Sequence, residues 1–185
     1  MTEKDKMLAG ELYNSYADKQ LIKERITCKS LCAKHNQSPY KNQNARRKLL
    51  EKILGSHREN FTIEPSFWCD YGYNIEIGEN FYSNHNLVIL DVAKVKFGDN
   101  VLIGPNCGFY TAAHPLDVET RNSGLEFGKP ITVGNNVWFG ANVVVLPNVT
   151  IGDNCTIGAG SVVTKDVPPN SLAYGNPCRV VKNLS

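Results

Sequence analysis

Aliphatic or aromatic side chains recur every six residues through the second half of the chain. Phe97, Ile103 and Phe109 form one run, and Val133, Phe139, Val145, Ile151, Ile157 and Val163 form a second, unbroken one. Two positions before each stands another apolar or small residue: Val95, Val101 and Cys107, then Ile131, Val137, Val143, Val149, Cys155 and Ser161. A period of six is neither the 3.6 of a helix nor the 2.0 of a strand. It arises when short strands alternate with regular corners, so that one strand and one corner together consume six residues. The corners recur as well: Gly134-Asn135-Asn136 and Gly152-Asp153-Asn154 are 18 residues apart, Gly98-Asp99-Asn100 precedes the former by 36, and Gly78-Glu79-Asn80 opens the series. Three sixes make one coil, and the pattern predicts a mainly β chain, a parallel β-helix of triangular cross-section whose corners stack. Gly and Asn at those corners are expected to supply the positive φ that a sharp bend requires.

The repeat also shows where it is broken. Each coil has three corners: one at Gly134 or Gly152, one at Gly140-Ala141 or Gly158-Ala159, and one at Leu146-Pro147-Asn148 or Thr164-Lys165-Asp166. After Phe109 the third corner fails to arrive, and the chain runs from Tyr110 to Pro130 before rejoining the repeat at Ile131. A long excursion from a compact repeat is read as functional. This one, 110–130, contains His114, Asp117, Glu119, Arg121 and Glu126.

The first third is built differently. The overall formal charge of +2 conceals 13 Lys and Arg against 7 Asp and Glu in residues 1–60, and 7 against 11 in the remainder. Leu8, Leu12 and Tyr16 at four-residue intervals, with Thr2 and Asp5 as a capping box, predict a first helix. Helices are also expected over about 20–35 and 43–54, with Gly55 as the left-handed stop. The chain therefore divides into a helical segment, 1–58, and a β-helix, 59–185. No stretch approaches the roughly 18 apolar residues of a membrane helix, and the charged start has no signal-peptide core, so the protein is expected to be cytoplasmic with its six cysteines reduced. The near-neutral total gives no footprint for nucleic acid, and Arg46-Arg47-Lys48 reads as a solvated helix face. Cys28, Cys32 and His35 share a helical face, but with no fourth ligand nearby they read as packing rather than as a metal site.

From about residue 61 the chain resembles the hexapeptide-repeat acyltransferases, whose β-helix is left-handed. The loop sequence Thr111-Ala112-Ala113-His114-Pro115 narrows the resemblance to the maltose and galactoside O-acetyltransferases. So do Asp70-Tyr71-Gly72-Tyr73-Asn74-Ile75, Phe81-Tyr82-Ser83-Asn84-His85-Asn86 and Gly175-Asn176-Pro177-Cys178-Arg179-Val180. The resemblance implies acetyl transfer from acetyl-CoA to a sugar hydroxyl, the 6-hydroxyl of maltose, glucose or a galactoside, with no metal required. It implies His114 as general base, with Asn84 and the Ala141 amide serving the transition state, where some relatives carry serine at the latter position. Glu126 either orients His114 or helps bind the acceptor. Asp70, Asp91, Asn84 and Ser15 are expected at the acceptor, although Ser15 stands where galactoside enzymes have an aspartate, and Val92 where some have a second acid. Those departures lean toward the maltose type.

For the cofactor, the small corners at Ala141 and Ala159 leave room for a pantetheine arm, Thr164 and Lys165 lie on the neighbouring corner, and Arg179 and Lys182 can meet phosphates. Trp138 alternates outward between Val137 and Phe139, so it packs on the cofactor arm or on a neighbouring subunit, or stands isolated on the surface. A homotrimer is implied, with His114 of one copy facing Asn84 of the next. The alternative is a metal-dependent hydro-lyase of the gamma carbonic anhydrase type on the same β-helix, which needs three histidine ligands; only His85 and His114 lie in the coils.

Overall fold

A computed structural model describes residues 1–184. The chain opens with α1 (Glu3–Ala9), β1 (Tyr13–Asn14), α2 (Lys19–Gln37) and α3 (Gln43–Ile53). The first coil follows as β2 (Phe61–Ile63), β3 (Phe67–Cys69) and β4 (Ile75–Glu76), and the second as β5 (Phe81–Ser83), β6 (Leu87–Leu90) and β7 (Val95–Phe97). The third coil begins with β8 (Leu102–Ile103) and β9 (Gly108–Tyr110). It then leaves the stack through β10 (Ala112–Ala113), α4 (Val118–Asn122) and β11 (Leu125–Gly128), and closes with β12 (Ile131–Val133). Next come β13 (Trp138–Phe139), β14 (Val144–Val145) and β15 (Thr150–Ile151), then β16 (Thr156–Ile157) and β17 (Val162–Val163), and finally β18 (Ser171–Tyr174) and β19 (Arg179–Asn183).

Corresponding strands of successive coils pair in parallel and make three flat faces: β2-β5-β8-β13-β16-β18, β3-β6-β9-β14-β17 and β4-β7-β12-β15. The result is a left-handed β-helix of about six turns. Every position that the six-residue spacing assigns to the interior is buried, from Val95 and Phe97 through Ser161 and Val163. Phe81, Phe97, Phe109 and Phe139 stack up the axis with ring centroids 4.9 to 5.2 Å apart, in edge-on contacts that follow the ring quadrupole. Each such side chain contributes about 1.5–3 kcal/mol on burial.

At the corners the expectation of positive φ holds for asparagine and fails for most of the glycines. Positive φ falls on asparagine, at Asn80, Asn100, Asn136, Asn154 and Asn170 on one edge and at Asn86, Asn106, Asn142 and Asn148 on others. Their side chains also tie the coils together: the Asn100 amide donates to Asn136 at 3.0 Å, Asn136 to Asn154 at 2.9 Å, and Asn154 to Asn170 at 2.9 Å. The corner glycines Gly78, Gly98, Gly104, Gly134, Gly140, Gly152 and Gly158 have ordinary φ and are required by space, whereas Gly160 takes φ +73° with open space around it. A Cβ on Gly134 would lie 2.2 Å from Asp153 Oδ1, and one on Gly140 would lie 2.6 Å from the Ala159 nitrogen.

The helical segment differs from expectation in three places. The Thr2 and Asp5 capping box forms, but α1 ends at Ala9 because Gly10 takes the left-handed conformation, leaving Leu8, Leu12 and Tyr16 exposed. Gly55 is not left-handed; a Cβ there would lie 2.1 Å from the Tyr73 carbonyl oxygen. Arg46 is not on a solvated face but buried, its guanidinium 3.0 Å from Glu64. Cys28, Cys32, Leu50, Ile53 and Leu54 join the same core as the first coil, so α2 and α3 close one end of the stack. At the other end β19 pairs antiparallel with β18. Among the described residues no helix is long and apolar enough to cross a membrane.

Candidate active site

The excursion after Phe109 is ordered by pairing that joins distant parts of the chain. β11 pairs antiparallel with β10, Ala113 opposite Phe127, and on its other side with β1, Tyr13 opposite Glu126 and Asn14 opposite Leu125. Thr111 fixes the root: its hydroxyl donates to the Leu90 carbonyl at 2.6 Å and accepts the Ala93 N–H at 3.0 Å. Arg121 donates to the carbonyls of Pro115 and Leu116, both at 3.1 Å, and so holds the turn that follows His114.

His114 is more than half exposed, with Nδ1 3.3 Å from the Leu125 carbonyl oxygen. Nε2 stands 4.0 Å from Glu126 Oε2. The other carboxylate oxygen of Glu126 accepts the Tyr13 hydroxyl at 2.5 Å. Burial, and then the hydrogen bond to Glu126, push the Tyr13 hydroxyl well above its ordinary range, so it remains a donor. Sequence reasoning missed Tyr13 because it ran the first helix through it. The available signal was Gly10, a residue that commonly stops a helix.

Asn84 lies on the corner after β5 and makes no hydrogen bond to His114 among the described residues. Its Oδ1 accepts the His85 N–H at 2.7 Å, which leaves the side-chain amide as a donor. The same corner one, two and three coils on is Gly104, Gly140-Ala141 and Gly158-Ala159, as the parallel register requires. The Ala141 carbonyl accepts the Gly160 N–H at 2.8 Å. The Ala141 N–H has no acceptor within the described chain. Thr164, Lys165, Arg179 and Lys182 are exposed at the far end of the stack, and Arg179 donates to the Cys178 carbonyl at 2.8 Å.

The residues expected at the acceptor are placed less favourably. Asp91 is fully buried, and its carboxylate accepts the N–H groups of Asp70, Tyr71 and Gly72 at 2.9, 2.9 and 2.6 Å, so in this chain it holds a turn and faces no open surface. Burial pushes its carboxyl up to about 7 against those three donors. Ser15 is likewise buried. Asp70 keeps a mostly covered carboxylate 3.2 Å from the Lys29 ammonium. Trp138 is 55% exposed on the outer surface of its face, as alternation requires.

A family profile described as maltose acetyltransferase hexapeptide capping motif matches residues 6–58, and one described as bacterial transferase hexapeptide (six repeats) matches residues 130–165. The Saccharomyces cerevisiae protein YJL218W, which bears an acetyltransferase name, is 50% identical over 98% of this chain and 92% of its own. The crystal structure of a maltose O-acetyltransferase from Clostridium difficile 630 is 49% identical with a TM-score of 0.97, covering 100% of this chain and 98% of that one. A galactoside acetyltransferase in complex with coenzyme A is 43% identical with a TM-score of 0.96, covering 100% and 92%. The Vibrio cholerae O1 biovar eltor acetyltransferase VCA0836, complexed with acetyl-CoA, is 38% identical with a TM-score of 0.91, covering both chains in full.

Coil, corner and loop together define a hexapeptide-repeat acyltransferase. The chain belongs to the maltose/galactoside O-acetyltransferase family and is an acetyltransferase of that type.

Proposed function

We propose that the protein transfers the acetyl group of acetyl-CoA directly to a sugar hydroxyl, the 6-hydroxyl of maltose, glucose or a galactoside, with His114 as general base. The observation that carries this reading is the set of contacts around the imidazole. A carbonyl oxygen can only accept, so the contact with Leu125 assigns the proton to Nδ1 and leaves the Nε2 lone pair free. Nε2 takes the hydroxyl proton as the oxygen attacks the thioester carbonyl, and later gives it to the departing thiolate. Glu126, held by Tyr13, stands where it stabilises the imidazolium formed in between. A base of this kind contributes about 10²- to 10⁴-fold. The side-chain amide of Asn84 and the unpaired Ala141 N–H are donors suited to the oxyanion and the acceptor. Asp70 is the acid closest to the acceptor segment that retains some exposure.

Topology supports a homotrimer with shared sites. Asn84 and Ala141 lie on the edge between the first and second faces, whereas the His114 hairpin leaves from the edge between the second and third. At about 3.3 Å per residue, the four-residue β6 that separates them spans about 13 Å, too far for both to reach one reacting carbon. A neighbouring copy packed on those faces brings the edges together. Their outward residues fit such packing: Tyr82, Leu102 and Trp138 are in register on the first face, and Trp68, Val88, Val144 and Val162 lie on the second. The third face carries Glu76, Lys96, Thr132 and Thr150. The pantetheine arm would run along the Ala141 and Ala159 corners beside Trp138, toward Thr164, Lys165, Arg179 and Lys182.

The test is acetyl transfer to maltose, glucose and galactosides followed by free-thiol release. Replacement of His114 by alanine is expected to lower kcat by about 10²- to 10⁴-fold with acetyl-CoA binding retained. Equal turnover in His114→Ala and the parent would overturn the reading.

A further inference from the structure

The fold brings together three cysteines that lie far apart in sequence. Cys28 and Cys32, one turn apart on α2, meet Cys69 at the end of β3; the Cys28 and Cys69 sulfurs are 3.4 Å apart and those of Cys32 and Cys69 3.8 Å. All three Sγ atoms lie within 4.8 Å of one another, and all three residues are buried. Sulfurs bound to one ion by bonds of about 2.3 Å stand about 3.8 Å apart, and the two edges of this triangle that meet at Cys69 lie close to that length. His35, on the same helical face, is not the further member. Its ring turns toward the cavity lined by Tyr40, Arg46 and Ile63, and the place is taken by Cys69 instead.

The number of ligands and the burial select the ion. A structural zinc site is closed by four protein ligands, and among the described residues no fourth His, Cys, Asp or Glu atom reaches this group. Three thiolates around zinc would bury one negative charge and around copper(I) two, which is costly where water is excluded. Three thiolates around a trivalent metalloid are neutral. We propose that Cys28, Cys32 and Cys69 form a three-sulfur binding site for trivalent arsenic, taken up as arsenous acid.

The exchange balances: As(OH)3 and three thiols give As(SR)3 and three waters. Three As–O and three S–H bonds break, three As–S bonds form, each hydroxide leaves with one thiol proton, and arsenic remains trivalent. An approach exists, since a cavity of about 430 Å³ between Thr27, Leu31, Ile53, Tyr71 and Tyr73 has Cys28 in its wall. None of the three sulfurs is assigned a part in acetyl transfer, and occupation of the site would clamp α2 onto the first coil.

The experiment uses the full reduced protein and arsenite. Native mass spectrometry is expected to show one arsenic gained with three hydrogens lost, and X-ray absorption at the arsenic edge to show three sulfur neighbours and no oxygen. Cys69→Ser is expected to weaken binding by at least the roughly 10- to 100-fold that loss of an outer-shell partner costs a metal site, while Cys155→Ala, inside the stack, keeps it. The absorption spectrum needs no substitution and stands even if Cys69→Ser fails to fold. Retained oxygen neighbours, loss of only two hydrogens, or tighter binding of zinc or cadmium than of arsenite would each overturn the proposal.

Discussion

The Tyr13 hydroxyl holds one oxygen of Glu126 at 2.5 Å while the other oxygen stands 4.0 Å from His114 Nε2, so a residue of the N-terminal strand positions a carboxylate in a loop more than a hundred residues away. A hydrogen bond to a charged acceptor is worth about 1.5–3 kcal/mol. Tyr13→Phe is therefore expected to lower kcat by roughly 10- to 100-fold, with KM for acetyl-CoA unchanged. Steady-state kinetics separate the two parameters; a change confined to KM would remove Tyr13 from the positioning of Glu126.

Asp91 predicts a pH dependence of stability. Its carboxyl is pushed up to about 7 in the fold from an ordinary 3.8, first by burial, so between those values the folded chain holds a proton that the unfolded chain has released. The stabilisation is thus fully present below about pH 4 and lost as pH rises through about 7, at a slope of up to ~1.4 kcal/mol per unit. Thermal melts across that range should show the parent losing stability with rising pH relative to Asp91→Asn. Parallel curves would refute it.

Two glycines separate space from backbone conformation. At Gly134 a Cβ would strike Asp153 Oδ1, the acceptor of the Asn135 N–H at 2.6 Å, and Gly134→Ala is expected to cost about 3 kcal/mol or more, lowering Tm by ~6 °C or more. At Gly160, with φ +73° and nothing within 4 Å, alanine is expected to cost only about 1–2 kcal/mol, or ~2–8 °C. Calorimetry that reversed this order would sink the packing explanation of the corner glycines.

The association of copies is tested on the outer faces. Trp138→Glu places a charge on the apolar first face and is expected to give monomers by light scattering, with acetyl transfer lost. Lys96→Glu, on the polar third face, should leave the assembly intact. If Lys96→Glu dissociated it and Trp138→Glu did not, the assignment of faces would be inverted.

The coil was legible because its interior residues, Phe97 through Val163, obey one period, and burial selects side chains position by position. The corner glycines were legible in spacing but not in cause, since a missing Cβ answers both to φ and to a neighbouring coil whose distance no local pattern reports. The four-residue series Leu8, Leu12, Tyr16 misled because one glycine outweighs three apolar residues of weak helical commitment. His114 and Glu126 were legible from the loop, whereas Tyr13 and Cys69 were not. Each acts through a contact between distant segments, β1 with β11 and α2 with β3, and such pairings are decided by the assembled core.

A stack held together by an asparagine ladder has no natural length, because each coil presents to the next the same donors and acceptors it received. Growth stops here by two unlike devices: α2 and α3 cover the first coil, and β19 turns back antiparallel on β18. The ends of this protein therefore act as chain terminators for a one-dimensional polymer. Removing the chain from residue 179 onward should uncover the β18 edge and let two copies join end to end, with growth stopping at the pair because α2 and α3 still cap the other end, a doubling of mass that light scattering would read.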